Sequence, residues 1–251
     1  MNEGLSERER NILDLLAADG SVSVSVLSNA LGVSAVTIRA CLKSLEDKGF
    51  LTRSRGGASL SYHRSILDRQ RERVEEKSRI AKAAADLVMD GDRIMIEAGT
   101  TTALIVRYLV GKRDVHIVTN SCLALTYARQ NPALSVTVTG GEYRRVTESL
   151  VGPVALAAIE RHNVRLAFVG TDGLTLERGM TTHLVEGAEI VKAMVARAEV
   201  SVLVADSSKY GRAGFVSVLP ISDMDRVIMD EGLPPTAAQE LRAAEINLAL
   251  V

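Results

Sequence analysis

Two groups of side chains in this sequence have types and spacings suited to binding chemistry. The first lies between Ser34 and Gly57, where Arg39, Lys43, Arg53 and Arg55 stand among hydroxyls and glycines. Across residues 34–64, six cations face two anions, Glu46 and Asp47. That is a local net charge of +4 on a chain whose net charge is −1. Clustered cations beside Ser34 and Thr37 suit a surface that meets phosphates and base edges. They also suit a solvated helix face. The second group is distributed as short polar turns: Gly99-Thr100-Thr101, Asn120-Ser121, Gly140-Gly141, Gly170-Thr171-Asp172-Gly173 and Asp206-Ser207-Ser208-Lys209. A glycine lets backbone approach a ligand closely, and a helix opening at Thr100-Thr101 offers unpaired N–H groups to an anion. Taken singly, each turn reads equally as a helix cap or a loop.

Composition limits what these groups can belong to. The chain has 251 residues, enough for a small domain and a larger one. Hydrophobic residues make up 47% and aromatics 3%, with no Trp, so the core must be aliphatic. Two distant cysteines, Cys41 and Cys122, make neither a disulfide framework nor a metal site. The four histidines have no metal-ligand spacing, and neither metal nor cofactor is expected. His116 reads as structural; His183, in a loop, stays open. The apolar runs are too short for a membrane span, and Met1-Asn2-Glu3-Gly4 is unlike a secretory signal. A cytoplasmic location is the expectation.

The elements that must position the first group are three helices and a hairpin. Ser6-Glu7-Arg8-Glu9 is a capping box, followed by Ile12, Leu13, Leu15 and Leu16 at helical spacing and a stop at Asp19-Gly20. A short helix fits Val26–Leu31 and breaks at Gly32. Ser34 caps a third that runs to about Lys48. Two helices joined by a tight glycine turn make a helix-turn-helix. In the third helix Ile38, Leu42 and Leu45 form the inward stripe, so Thr37, Arg39 and Lys43 project outward. Ser34, Ala35 and Thr37 occupy the end that enters the major groove in this motif. Residues 50–57, with Arg53 and Arg55, read as a strand and turn, a wing along the DNA backbone.

From Ile80 onward, near-continuous apolar strands alternate with helices, which predicts a parallel sheet covered on both faces. The five polar turns all follow strands. They therefore converge on the carboxyl edge of one sheet, where ligands bind in open α/β folds. Convergence favours a site over five unrelated caps. The expected organisation is a winged helix-turn-helix over 1–58, a linker over 59–78 and an α/β domain over 79–251.

Thr37-Ile38-Arg39, Leu42, Leu45-Glu46, Gly49, Arg53 and Gly56-Gly57-Ala58 resemble the N-terminal signature of the DeoR family of bacterial transcription regulators. Ala40-Cys41 stands where that family usually has Arg-Asp. Glu97-Ala-Gly-Thr-Thr101, Thr119-Asn-Ser121, Gly140-Gly-Glu-Tyr-Arg144, Val169-Gly-Thr-Asp-Gly173, Gly179-Met-Thr-Thr182 and Asp206-Ser-Ser-Lys209 are similar to its sensor domain. Glu97 replaces the usual Asp, and Leu184 an Asn. The resemblance implies a sensor domain similar in fold to ribose-5-phosphate isomerase and CoA-transferase-type proteins. It implies a phosphorylated sugar or sugar derivative as effector, and relief of repression on binding. By matching motif the pocket would use Gly99, Thr100, Thr101, Asn120, Gly141, Arg144, Asp172, Glu186 and Lys209. Gly99 to Thr101 would hold phosphate, Asp172 and Glu186 would accept from hydroxyls, and Lys209 would pair with phosphate or carboxylate.

Three functions compete. The leading one is an effector-controlled repressor binding operator DNA as a homodimer or homotetramer, with half-sites roughly 34–36 Å apart in a dimer. The second is a sugar-phosphate isomerase-like enzyme using Asp172 as general base and Lys209 as electrophile. The third is a protein-binding winged helix with a degenerate sensor.

Overall fold

A computed structural model describes residues 5–19, 21–47, 50–54, 57–60 and 66–251. The chain forms two compact units, residues 1–69 and 70–251.

In the first unit, α1 (Glu7–Asp19) starts at the capping box. Ser6 N–H donates to Glu9 Oε2 at 2.7 Å, and Glu9 N–H donates to Ser6 Oγ at 3.2 Å. The other Glu9 oxygen accepts from Ser44 Oγ at 2.7 Å, which ties α1 to the third helix. A short strand, β1 (Ser21–Ser23), leads into α2 (Val24–Leu31), whose N-cap hydroxyl on Ser23 accepts from Val26 N–H. Gly32, at φ +64°, closes α2 in the left-handed region that favours glycine. After three residues α3 (Ala35–Asp47) sets off at 109° to α2, within the helix-turn-helix range. Strands β2 (Leu51–Ser54) and β3 (Gly57–Leu60) form the wing hairpin, and β1 adds to it in the antiparallel order β1-β3-β2. A Cβ on Gly57 would stand 2.5 Å from Val22 O, so glycine is needed for β1 to pair there. Ile12, Leu16, Leu27, Ile38, Leu42 and Leu45 pack into one core, as their spacing predicts. The addition is β1, three residues too short to leave a periodic signal. Arg55, Gly49 and Gly56 lie outside the described residues, as does the side chain of Arg53. α4 (Ile66–Arg71) follows.

The first helix wholly within the second unit is α5 (Val74–Ala85), which starts six residues earlier than the helix predicted from Ile80. Its first turn carries Glu75 and Glu76, which face the positive end of the helix dipole. Those charges are the solvated side of a helix whose buried side holds Ile80, Ala81 and Ala84, so charge richness alone resembled a linker.

The sheet strands are β4 (Arg93–Ile96), β5 (Val115–Thr119), β6 (Leu134–Val138), β9 (Val164–Val169), β12 (Ala198–Val204), β14 (Arg226–Met229) and β15 (Leu248–Leu250). All pair in parallel, in the order β15-β14-β12-β9-β4-β5-β6. The helices α6 (Thr100–Arg107), α7 (Cys122–Ala128), α8 (Pro153–Glu160), α9 (Val185–Val195) and α10 (Pro235–Ala243) connect them. Two antiparallel additions stand beside the main sheet: the hairpin β7 (Glu142–Arg144) and β8 (Ser149–Val151), and the sheet β10 (Gly173–Thr175), β11 (Gly179–Thr182) and β13 (Val216–Ser217). These strands and α10 were not predicted. The strands have two to four residues each, too few for alternation to register.

Beneath the amino ends of the strands lies an ion pair between a buried carboxylate and a half-buried guanidinium. Asp92 is 8% exposed; Arg165 Nε donates to its Oδ1 at 2.7 Å, and Arg165 Nη2 also reaches its Oδ2. The Arg165 hydrogen bond holds the Asp92 carboxyl below its ordinary range, against the opposing effect of burial, and Met89 N–H assists. A depressed carboxylate stabilises the fold fully above its unfolded value near pH 4, and that support is lost as pH falls through the folded value. Thermal melting is therefore expected to hold steady from pH 7 to about 5 and to decline below about 4. Asp92→Asn should cost about 1.5–3 kcal/mol at pH 7 and flatten that decline.

Candidate functional site

The DNA-facing candidate is α3. Ser34 Oγ accepts from Thr37 N–H at 3.2 Å and lies 2.9 Å from Thr37 Oγ1. Both hydroxyls predicted to meet DNA thus close the start of the helix. Ala35 packs against the core of this unit, while Arg39 and Lys43 are exposed. Of the two α3 residues that depart from the resembled signature, Cys41 turns inward against that core and Ala40 outward.

The second candidate site follows from strand order. The chain runs from β4 outward through β5 to β6. It then returns across β4 to β9 and runs outward the other way. Between β4 and β9 the connections part in opposite directions, which opens a crevice at the carboxyl ends of those strands. Glu97 sits there. Its N–H donates to Phe168 O at 3.0 Å, and its Oε2 accepts from Gly170 N–H at 3.2 Å, so one residue joins the ends of both strands.

The loop after β4 starts α6 at Gly99, with no side-chain cap. The first N–H groups of α6 lack intrahelical acceptors by construction. Thr102, wholly buried, has among the described residues a hydroxyl with no hydrogen-bond partner. That oxygen would lie 2.8 Å from a Cβ on Gly99, so a larger residue at 99 would crowd it. Thr101 is buried and Thr100 half-buried. An uncapped helix start over an unpaired buried hydroxyl suits an anion with several acceptor oxygens.

The other predicted residues are placed as follows. Asn120 is buried; its Oδ1 accepts from Ala98 N–H at 2.9 Å and its Nδ2 donates to Leu150 O at 3.1 Å. It therefore shapes the β4 loop and holds β8 to it. Gly141 has φ +109°, and a Cβ there would stand 2.4 Å from Val151 O. Its need for glycine is thus accounted for by packing. Arg144, on β7, pairs with Glu186 Oε1 at 2.7 Å and with Glu142 at 3.5 Å. Glu186 opens α9; its own backbone N–H, then Arg144, hold its carboxyl below the ordinary range. Asp172 Oδ2 accepts from Thr182 Oγ1 at 2.9 Å and from His183 N–H at 3.3 Å. His183 thus reaches this edge through its backbone. Lys209 ends a single 3₁₀ turn, Ser207–Lys209, capped by Asp206.

That turn is held from below by groups not singled out from the sequence. Asp230, at the end of β14, is fully buried and accepts from Ser207 N–H at 2.6 Å and Ser207 Oγ at 2.9 Å. Arg73, at φ +51° just before α5, donates to Ser207 Oγ at 2.8 Å and Asp230 Oδ2 at 3.0 Å, and lies 3.4 Å from Asp206. Burial pushes the Asp230 carboxyl up, but Ser207, Arg73 and Gly232 outweigh it and the net shift is downward. The missed signals were faint: a third Thr after Gly99, a lone Arg before a helix, and an Asp after a strand.

A helix-turn-helix with a wing, in one chain with an α/β unit whose strand order opens such a crevice, defines a ligand-responsive DNA-binding regulator. Comparison with known proteins makes this specific. Residues 8–63 match the DeoR-like helix-turn-helix domain, and residues 72–231 match the DeoR C-terminal sensor domain. A protein of Haloferax volcanii named HTH-type transcriptional regulator GlpR is 36% identical over 248 residues, covering 97% of this chain and 96% of its own length. A protein of Escherichia coli O157:H7, named as a candidate aga operon transcriptional repressor, is 34% identical over 254 residues, covering 99% and 94%. Among solved structures, ribose 5-phosphate isomerase A of Methanocaldococcus jannaschii matches at TM-score 0.39 and 22% identity, over 53% of each chain. The chain belongs to the DeoR family of transcriptional regulators. Among the described residues no single helix is long and apolar enough to cross a membrane.

Gly141→Ala tests the packing account of that glycine. Left-handed strain and the contact with Val151 O should cost at least about 1–3 kcal/mol. In a unit of this size that lowers the melting temperature by several degrees. An unchanged melting temperature contradicts the packing account.

Proposed function

We propose that the chain represses a carbohydrate catabolic operon in the cytoplasm and that a phosphorylated sugar or sugar derivative relieves the repression. The observation that carries the effector half is the uncapped start of α6 at the crevice, above the unpaired hydroxyl of Thr102. The N–H groups of Gly99, Thr100 and Thr101 take the phosphate. Asp172 and Glu186 accept from sugar hydroxyls, with Arg144, Asn120 and Gly141 shaping that side. Lys209 meets a second anionic group. The DNA half rests on Arg39 and Lys43, exposed on α3, with Ser34, Ala35 and Thr37 building its leading end; by sequence alone, Arg53 and Arg55 add two further cations to it. A homodimer or homotetramer presents two such helices to a palindrome-like operator. Effector binding changes DNA affinity by favouring one of two arrangements of the assembly.

The isomerase reading is disfavoured. An isomerase has no use for a DNA-reading head, yet residues 8–63 match the DeoR-like helix-turn-helix domain and a relative matched over 97% of this chain is named as a transcriptional regulator.

The reading is tested by gel shift on DNA flanking the gene, with a panel of sugar phosphates. Lys43→Ala should weaken binding to all sequences alike and reduce the salt slope by about 1. A true effector at a hundred times its dissociation constant should stabilise the protein by about 2.7 kcal/mol and release the DNA. Asp172→Ala should abolish that stabilisation and leave DNA binding intact. Salt-insensitive binding, or turnover of a sugar phosphate, contradicts the proposal.

A further inference from the structure

The inward stripe of α3 is Ile38, Leu42 and Leu45, so the outward stripe is Val36, Ala40 and Lys43. Val36 is 74% exposed, and Ala40 and Lys43 are exposed beside it. Val36 sits in the first turn of the helix, outside the core that holds the unit together. A β-branched residue there slightly lowers helix propensity, so it serves neither packing nor helix formation. The hydroxyls around it are occupied: Ser34 and Thr37 are joined to each other and cap the helix. What this end presents outward is a surface of methyl groups, two from Val36 and one from Ala40, flanked by the cations of Arg39 and Lys43.

The floor of the DNA major groove offers one strongly apolar feature, the C5-methyl group of thymine. The other base edges there present hydrogen-bond donors and acceptors. A valine set against those would strip their water and return no hydrogen bond. Flanking cations hold phosphates and carry no sequence information themselves. We propose that Val36 and Ala40 are specificity-determining residues that read thymine, each half-site placing one or two thymine methyl groups against them. This rests on α3 being the helix that enters the major groove.

The test uses the full-length protein and a duplex enriched by it from a random-sequence library. Each thymine is replaced singly by deoxyuridine, which removes only the methyl group. One or two positions per half-site should lose about fourfold in affinity for the methyl group removed. Val36→Ser, whose fold is checked by melting, should bind the parent duplex more weakly and lose nothing further at one of those positions. Ala40→Ser should do so at the neighbouring one, and the double-mutant cycle measures each coupling. A tight duplex indifferent to every deoxyuridine overturns the thymine contact alone. So does a Val36→Ser variant with undiminished methyl dependence. If no duplex is enriched at all, the groove reading of α3 falls and takes this contact with it.

Discussion

The reversal of direction between β4 and β9 is the constraint on which the sensor unit depends. Two parallel neighbours with identical backbone pairing hand the chain to opposite sides. Their carboxyl ends cannot be covered by the same connection, so a crevice follows from topology before any side chain is chosen. Glu97 stands across it, with one backbone and one side-chain hydrogen bond to the β9 strand and the loop beyond it. A carboxylate in that position is an acceptor beside the helix start of α6, whose first N–H groups have no side-chain cap. The longer reach of Glu compared with Asp is therefore a structural matter as much as a ligand matter. The oxygen that meets Gly170 is the outermost atom of the side chain.

Around that crevice the polar residues divide by task. Asn120 and Gly141 are accounted for by holding loops: one by two side-chain hydrogen bonds, the other by a backbone approach no side chain allows. Arg144 and Glu186 form an exposed pair between a hairpin and a helix start, where the ionic attraction is screened and contributes little stability. Such a pair can exchange partners at low cost. By contrast, Asp230 and Arg73 are tied into several bonds around a buried carboxylate, which resists rearrangement.

Much of this was legible in the sequence because long-range order left local traces. The inward stripe of α3, the capping box at Ser6, and the apolar runs of the seven parallel strands each follow from a period or a cap. The polar turns after the strands were legible because topology places all such turns on one edge. Illegible were the pieces whose partners lie far away in sequence. β1 pairs with β3 across more than thirty residues, and β13 is two residues long. Arg73 meets Asp230 across a separation of 157. Nor could spacing reveal that Ser34 and Thr37 face each other, because a cap and a phosphate contact ask for the same residue types.

Arg73 has a consequence for how modular the chain is. Its backbone belongs to the segment leading into the sensor unit, but its guanidinium is shared among Asp206, Ser207 and Asp230, beside the turn that carries Lys209. A sensor cut at the first residue of α5 would lose a cation from beneath that turn and leave a buried carboxylate short of a partner. Transplanting this unit onto another head therefore has to carry Arg73 with it. The boundary between the two modules, as an engineer would draw it, lies before that residue and not at the start of the helix.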